Sequence, residues 1–232
     1  MKKFILFSVS AAAIIFSSFT AGTPAFEGKI VYSIDVNSND MPPEAKAMMA
    51  GSEYITYIKE MKTRSEMNMG MQNTISIYDG STKTSVSLID MMGNKYMIKS
   101  DASKKDEKQP DAKVNVTGET KTIAGYVCKK AEITSKDKDG NTQTANIWFT
   151  EEIPNRMNVA DKRYAKFRDI TGMPLEYEMQ GQRGMTMKMT ATSVSKESVS
   201  DDKFLIPSGY KETTIEDMQK EMMQMYQGGG QH

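Results

Sequence analysis

The sequence has almost none of the side chains on which nucleophilic and zinc chemistry depend. Of its 232 residues, only Cys128 is a cysteine and only His232 is a histidine, which follows three glycines at the end of the chain. A single cysteine excludes an intramolecular disulfide, and a buried structural role suits it better than a redox role. The scarcity of histidine excludes Ser–His and Cys–His catalysis and zinc sites built on histidine.

Sequence motifs for phosphate and calcium binding are missing as well. There is no glycine-rich phosphate loop and no G-x-S-x-G turn. The segment DKDGN (137–141) resembles the start of a Ca²⁺ loop, but Trp148 stands where the twelfth position needs a bidentate glutamate. The adjacent acidic residues 151 and 152 lie on a predicted strand and therefore point to opposite faces of it, and residues 201 and 202 lie in a predicted loop. Neither pair is expected to act as a catalytic acid and base. We expect a protein that is not an enzyme and has no cofactor.

Neither sign of charge is in excess. Thirty Lys and Arg residues balance thirty Asp and Glu residues. A surface of this kind lacks the basic patch that nucleic-acid binding needs, so we expect no nucleic-acid partner. The only dense run of charge is DASKKDEKQPD (101–111), which predicts a solvated linker or a long hairpin loop.

A long hydrophobic run occurs only at the N-terminus. Two lysines (2–3) precede the run FILFSVSAAAIIFSSF (4–19), and small residues follow in TAGTPA (20–25). This order predicts a signal peptide over 1–25, with a cut at 21–22 as the alternative. The run is too short and too rich in serine for a membrane span, and no cysteine follows it for lipidation. We expect a soluble, periplasmic, monomeric protein that is not anchored in a membrane.

The rest of the chain is dominated by alternation of apolar and polar residues. FEGKIVYSIDV (26–36), SEYITYIKEMKTRSEMNM (52–69) and TISIYDGSTKTSVSLID (74–90) predict half-buried strands, the last of them a hairpin with a type I′ turn at Asp79–Gly80. In GYVCKK the same alternation points Tyr126 and Cys128 inward. Strand signals recur at short intervals without long helices between them, which predicts an antiparallel sheet that curls or closes.

Two helices are predicted beside the strands. MPPEAKAMMAG (41–51) is typical of a short helix that begins at proline and ends at glycine. TTIEDMQKEMMQMY (213–226) has an apolar face, and Thr213 with Glu216 fits a capping box at its start. We predict a mainly β domain of the α+β class over 26–212, a C-terminal amphipathic helix over 213–227 and a disordered tail over 228–232. The apolar face of the second helix consists of Ile215, Met218, Met222 and Met225.

Methionine is abundant, with 21 residues. Six of them form two triplets in which every second residue is methionine: Met67, Met69 and Met71 are the first triplet, and Met185, Met187 and Met189 are the second. Alternate residues of a strand share one face, and the polar residues between the methionines take the water-facing side, so each triplet is predicted to face inward. Flexible thioethers suit a core or an adaptable apolar binding wall, and they are also soft ligands for Cu(I) or Ag(I). Neighbouring sulfurs on one strand lie about 6.5–7 Å apart, so a metal site would need two facing strands.

Ordered motifs along the chain resemble one family of exported proteins. FEGKIVY (26–32) is followed by KTIAGYVCKKAEI (121–133), IWFTEEI (147–153), GMPLEYEM (172–179) and FLIPSGYKE (204–212). This series resembles the domain-of-unknown-function 4412 family, which we group with the LolA/LppX-like lipoprotein carriers. The resemblance implies a curved, antiparallel, half-open β-barrel of LolA-like type, with short helices as plug or lid. Relatives in that superfamily hold acyl chains or lipoproteins without catalysis, and the family itself supplies no catalytic residues.

The sequence thus predicts a non-enzymatic periplasmic protein that binds an apolar ligand in the concavity of a curved sheet. The partner would be a lipid, an acyl chain or a lipidated protein. Two alternatives stay open: a methionine-rich protein that binds Cu(I) or Ag(I), and a structural or interaction module of the cell envelope without a small ligand. The predicted cavity wall, covered by the C-terminal helix, consists of Met67, Met69, Met71, Met185, Met187, Met189, Met218, Met222 and Trp148.

Overall fold

The computed structural model describes most of the chain after the predicted leader. The predicted signal peptide apart from its last residue, most of the predicted helix 41–51, the charged segment 102–111 and Met71 lie outside the described residues. Among the described residues, no helix is both long and apolar enough to cross a membrane. The described residues are 25–37, 44, 49, 51–69, 72–101, 112–136, 140–158, 164–180 and 185–228.

In the described part of the chain, twelve strands form one sheet, and an α-helix follows them. The helix α1 spans Ile215–Gly228, and 3-10 turns occur at Ala165–Phe167 and Asp201–Phe204. The strands are β1 Gly28–Asn37, β2 Glu53–Lys59, β3 Lys62–Met69, β4 Gln72–Asp79, β5 Thr84–Met91, β6 Asn94–Asp101, β7 Lys113–Ile123, β8 Tyr126–Lys136, β9 Thr142–Pro154, β10 Gly172–Gln180, β11 Thr186–Lys196 and β12 Lys211–Glu212.

The sheet is long, curved and open. Its strand order is β12-β6-β5-β4-β3-β2-β1-β11-β10-β9-β8-β7, so β12 and β7 form the two edges. Every pairing is antiparallel except that of the short β12, which runs parallel to β6. The predicted fold class, a mainly β protein with a curved, unclosed antiparallel sheet, is confirmed.

Strand β1 joins two meanders, because it pairs with β2 on one side and with β11 on the other. Its residues alternate as predicted, and Ile30, Tyr32 and Ile34 are buried. Tyr32 lies opposite Tyr54 of β2, and Ile34 lies opposite Met189 of β11. We call the face of the sheet that carries these side chains the inner face, and the other the outer face.

The turns between the strands match the sequence prediction only in part. Met92 and Gly93, between β5 and β6, both take positive φ, 53° and 86°, as a two-residue type I′ turn requires. The predicted type I′ turn at Asp79–Gly80 is wrong, since β4 ends at Asp79 and β5 begins only at Thr84. The Asp79 carboxylate accepts the backbone N–H of Ser81 at 2.9 Å, and this side-chain turn replaces the tight hairpin.

A segment between β9 and β10 crosses the inner face and fills its centre. We call residues 155–158 and 164–170 the strap. The hydroxyl of Tyr164 lies 3.4 Å from that of Tyr54 on β2, and the Phe167 ring lies 5.2 Å from the Tyr177 ring on β10. Phe167 is fully buried, so the strap provides the cover that the core of a single sheet needs.

The last thirty described residues, 199–228, wrap around the β6 edge from one face of the sheet to the other. On the outer face, Lys59 donates to the carbonyl of Val199 at 3.0 Å and Arg64 donates to that of Lys203 at 2.9 Å. The chain then crosses β4, β5 and β6, pairs as β12, and returns as α1 over the inner face. Its cap differs from the predicted Thr213/Glu216 box by one residue: the N–H of Asp217 donates to the hydroxyl of Thr214, which donates back to the Asp217 carboxylate.

Candidate functional site

The first methionine triplet lies on the inner face, within two rows of side chains that run across the sheet. In one row, Met69 of β3 lies opposite Gln72 of β4, which lies opposite Met91 of β5, and Met91 lies opposite Asn94 of β6. The adjacent row runs Tyr54, Met67, Thr74, Ile89 and Tyr96. Met67 and Met69 are half-buried and Asn68 is exposed, so these two methionines face the side that strand alternation predicts.

The second triplet belongs to the core. Met187 and Met189 are 8% and 0% exposed, and Met189 lies opposite Tyr177, whose ring contacts Phe167 of the strap. They share the inner face with Met67 and Met69, but the strap covers them. A ligand could reach Met187 and Met189 only if the strap left the sheet. Met185 precedes β11 and is half-buried.

Beside the strap lies a small polar cavity. It has a volume of ≈30 Å³, which is room for about one water molecule. The Asn158 amide donates to the Ser85 hydroxyl at 3.1 Å, while the buried Asn158 carbonyl oxygen finds no partner among the described residues. The cavity is too small and too polar for an acyl chain. Its wall includes Thr56, Thr63, Ser65, Ser76 and Tyr78.

An apolar opening lies between α1 and the inner face of β5 and β6. This groove has a volume of ≈360 Å³. Tyr96 forms its floor and is only 3% exposed, and the Asn94 amide donates to the Met225 sulfur at 3.8 Å. We call this opening the α1 groove, and its wall consists of Met91, Met92, Asn94, Tyr96, Met222 and Met225.

The sequence placed only part of this wall. Met222 was predicted and lines the groove, while Met218 is half-buried on the same helix. The prediction that α1 covers Met187 and Met189 is wrong, because α1 lies at the β6 edge and those residues lie on β11, beyond β1. Met91 and Tyr96 were missed, although alternation on either side of the Met92–Gly93 turn carries the signal that would have found them.

Trp148, predicted as a cavity wall, lies on the outer face instead. Its neighbours Ile147 and Phe149 are 0% and 2% exposed and point inward, so alternation turns Trp148 outward, where it is half-buried. The Lys121 ammonium lies 4.3 Å from the centre of its ring, in cation–π contact. Lys121 also pairs with Glu176 at 2.9 Å, so Trp148 belongs to a charged surface cluster.

Comparison with known proteins places the chain in a family. The family model described as Domain of unknown function (DUF4412) matches residues 44–210. The chain belongs to the DUF4412 family. No curated protein sequence matches it. Among solved structures, the crystal structure of MucB is similar to this DUF4412 chain at a TM-score of 0.34 and 13% sequence identity, over 79% of this chain and 57% of the MucB chain.

The helix of this DUF4412 protein is attached by few contacts. The N–H of Thr213 donates to the carbonyl of Met97 at 2.9 Å, and Lys211 pairs with Glu221 of α1. Ion pairs this exposed contribute little stability, typically less than about 1 kcal/mol. On α1 itself, Ile215 and Met223 are 50% and 61% exposed. The helix therefore covers the groove without being locked into the core.

The one thiol of the DUF4412 chain is structural. Cys128 is fully buried while its neighbour Val127 is 59% exposed, so the predicted burial of the thiol is confirmed. Burial raises the pKa of the Cys128 thiol to about 11, against an ordinary value of 9.0. A thiol that stays protonated is a poor nucleophile and a poor metal ligand.

Proposed function

We propose that this protein is a non-enzymatic periplasmic binder of an acyl chain, carried by a lipid or a lipidated protein, in the α1 groove. The observation that carries the proposal is an apolar groove of ≈360 Å³ under a weakly held helix. Ligand sites are typically concave, apolar and about 300–1,000 Å³ in volume. Export, the monomeric state and the grouping with LolA/LppX-like carriers belong to the same proposal and rest on the sequence features.

The lining of the groove supports an apolar chain over a polar ligand. Asn94 and the Tyr96 hydroxyl are its polar groups. Asn94 donates to the Met225 sulfur, and burial together with the nearby Glu221 carboxylate raises the pKa of Tyr96, so its hydroxyl stays neutral. A polar ligand would need several convergent donors and acceptors. Methionine side chains, with three rotatable bonds and a polarisable sulfur, adapt to the varied shapes of an acyl chain.

The surfaces beside the groove suit the parts of such a ligand that extend beyond it. Met69 and Met67 continue the wall across β3, two strands from β5 and therefore about 10 Å away at the usual strand spacing. On the side of β12, an open cleft is lined by Lys99, Lys211 and Lys220 together with acidic residues. An acyl chain would lie along the methionine rows, and its polar head group would lie in this cleft, where each lysine pairs with a carboxylate.

A pair of variants on one helix tests the proposal. A fluorescent fatty acid is titrated into the purified mature protein, into Met222→Asp and into Met223→Asp, with the folded state checked by circular dichroism. Met222 lines the groove and Met223 points away from it at 61% exposure. We expect saturable binding by the parent protein and by Met223→Asp, and at least a tenfold loss in Met222→Asp. Absence of binding by the parent protein, or equal loss in both variants, would contradict the proposal.

A further inference from the structure

Four methionine residues from two separate elements line the α1 groove, with Met92 and Met225 at its open side, where they are 68% and 49% exposed. Met91 and Met92 come from the end of β5 and its turn, and Met222 and Met225 come from α1. The Met225 sulfur is 3.8 Å from the amide nitrogen of Asn94, and Asn94 is the cross-strand partner of Met91. The end of β5 and the helix thus bring thioethers to the same place.

One metal ion needs several sulfurs close together, and the methionines of a single strand cannot provide them. Alternate sulfurs on one strand lie about 6.5–7 Å apart, too far for one ion. On a helix, residues three apart are neighbours, about 5–6 Å between Cβ atoms, which pairs Met222 with Met225. Met92 has a positive φ of 53°, so the chain turns between Met91 and Met92 and the side chains need not diverge as on a strand. Flexible methionine side chains can close the distances that are left.

The chemistry of the lining selects one class of ion. Thioethers are soft ligands that favour Cu(I) and related monovalent ions over Zn²⁺, Ca²⁺ or Mg²⁺. In the described part of the chain, no cluster of three or more His, Cys, Asp or Glu side chains is arranged to hold a metal ion, so harder ions find no competing site there.

We propose that Met91, Met92, Met222 and Met225 form a binding site for one Cu(I) or Ag(I) ion. The inference goes beyond acyl-chain binding, because it depends on the sulfur atoms and not on the apolar character of the groove. It also differs from a site at the methionine triplets, since Met187 and Met189 are buried under the strap.

Isosteric substitution separates the role of sulfur from that of shape. Leucine keeps the volume and apolarity of methionine at a cost of usually less than about 1.5 kcal/mol. Full-length mature protein, labelled with ¹³C at the methionine methyl groups, is titrated with Ag(I), which needs no reductant. We expect one equivalent to shift the methyl signals of the four groove methionines. In the triple variant Met91→Leu, Met222→Leu, Met225→Leu, affinity for Ag(I), and for Cu(I) under anaerobic conditions, falls at least a hundredfold.

Two controls decide the outcome. Met223→Leu, on the exposed side of the same helix, keeps the affinity of the parent protein. The inference is overturned if Ag(I) fails to bind, if it shifts surface methionines such as Met223 and Met61 as strongly as the groove set, or if the triple variant binds as well as the parent. Fatty-acid titration of the triple variant distinguishes this result from failure of the proposed function, because leucine preserves an acyl-binding groove while removing the sulfurs.

Discussion

The hydroxyl groups of Tyr54 and Tyr164 lie 3.4 Å apart, although 110 positions separate the two residues in the sequence. This contact holds the strap against β2, close to the middle of the sheet. The strap reaches Tyr177 of β10 at one end, and at the other end Asn158 donates to the hydroxyl of Ser85 on β5. The α1 groove lies on the same face at the far ends of β5 and β6, near the Met92–Gly93 turn. The α1 groove is therefore displaced from the centre of the inner face toward one edge of the sheet.

Removing the anchor of the strap should weaken the fold without changing the groove. Phe167 is fully buried against Tyr164 and Tyr177, so Phe167→Ala is expected to lower the free energy of unfolding by about 3–5 kcal/mol. Asp169→Ala, at an exposed neighbour, should change it by less than about 0.5 kcal/mol. Urea denaturation measures both. If Phe167→Ala instead increases fatty-acid affinity severalfold in the folded protein, the ligand site lies beneath the strap.

The two sides of β3 should respond differently to a negative charge. Met69→Asp puts a carboxylate among half-buried apolar groups, and we expect a loss of about 1–3 kcal/mol of stability together with weaker fatty-acid uptake. Asn68→Asp adds the same charge on the exposed outer side and should leave both quantities unchanged. Thermal denaturation and fluorescence titration of the pair provide the measurement. Equal effects at the two positions would show that the strand does not present Met69 to the groove.

Trp148 is the only tryptophan and lies on the outer face, so its fluorescence should not change when a ligand binds in the α1 groove. Addition of a non-fluorescent fatty acid is expected to change neither its emission maximum nor its quenching by acrylamide. In a second protein, Trp148→Phe combined with Met225→Trp, the new tryptophan in the groove wall should shift to shorter wavelength on ligand binding. A ligand-dependent shift of Trp148 itself would contradict the assignment of the outer face.

The buried thiol gives a pH dependence with a defined sign. The pKa of Cys128 is raised by burial to about 11 from 9.0, so the unfolded chain loses this proton at lower pH than the folded protein. The unfolded state then binds fewer protons, and stability decreases as pH rises from about 9 to about 11. We expect Cys128→Ala, despite a small cavity cost, to show a shallower decrease over this window in urea denaturation.

Reactivity of the same thiol supplies an independent check. A water-soluble maleimide at pH 7.5 should modify native Cys128 at least a hundredfold more slowly than in urea, because the side chain is inaccessible and protonated. Rapid labelling of the native protein would mean that β8 opens readily or presents its other face.

Truncation before α1 should uncover the apolar floor of the groove. Removing residues 213–232 exposes Tyr96 and Met91 while leaving β12 in place, so binding of the dye ANS should increase severalfold without loss of the β-sheet circular dichroism signal. Lys211→Glu, which places a negative charge beside Glu221 of α1, should give a smaller increase in the same direction. Unchanged dye binding in the truncated protein would indicate that α1 does not cover apolar surface.

Alternation was enough to predict the sheet and the direction of Met67 and Met69, because a side-chain period of two is a local property of a strand. The strap was missed, since Tyr164, Phe167 and Ile170 follow neither a strand nor a longer helical period and are buried only by residues distant in sequence. Trp148 is a large aromatic residue of the kind that fills cores and cavity walls, but its position between Ile147 and Phe149 turns it to the opposite face of the strand.

The position of α1 could not be predicted either. Its apolar face shows that it packs against something, but the crossing of residues 204–210 over the outer face decides which part of the sheet it reaches. That crossing depends on contacts such as Arg64 with Lys203 and Lys95 with Tyr210, which no sequence period reveals. The groove wall of Met91 and Met225 follows from this tertiary path.

The place of β1 in the sheet determines when the molecule can fold. Gly28 of β1 pairs with Lys196 of β11, which comes late in the sequence. The strands β2–β6 and β7–β11 pair mostly with sequence neighbours. Each meander can form early, but Tyr32 and Ile34 lose contact with water only when β11 pairs with β1. Pairings this distant in sequence make folding slow. A chain that emerges from synthesis N-terminus first keeps its central strand half unpaired until nearly all of it has been made.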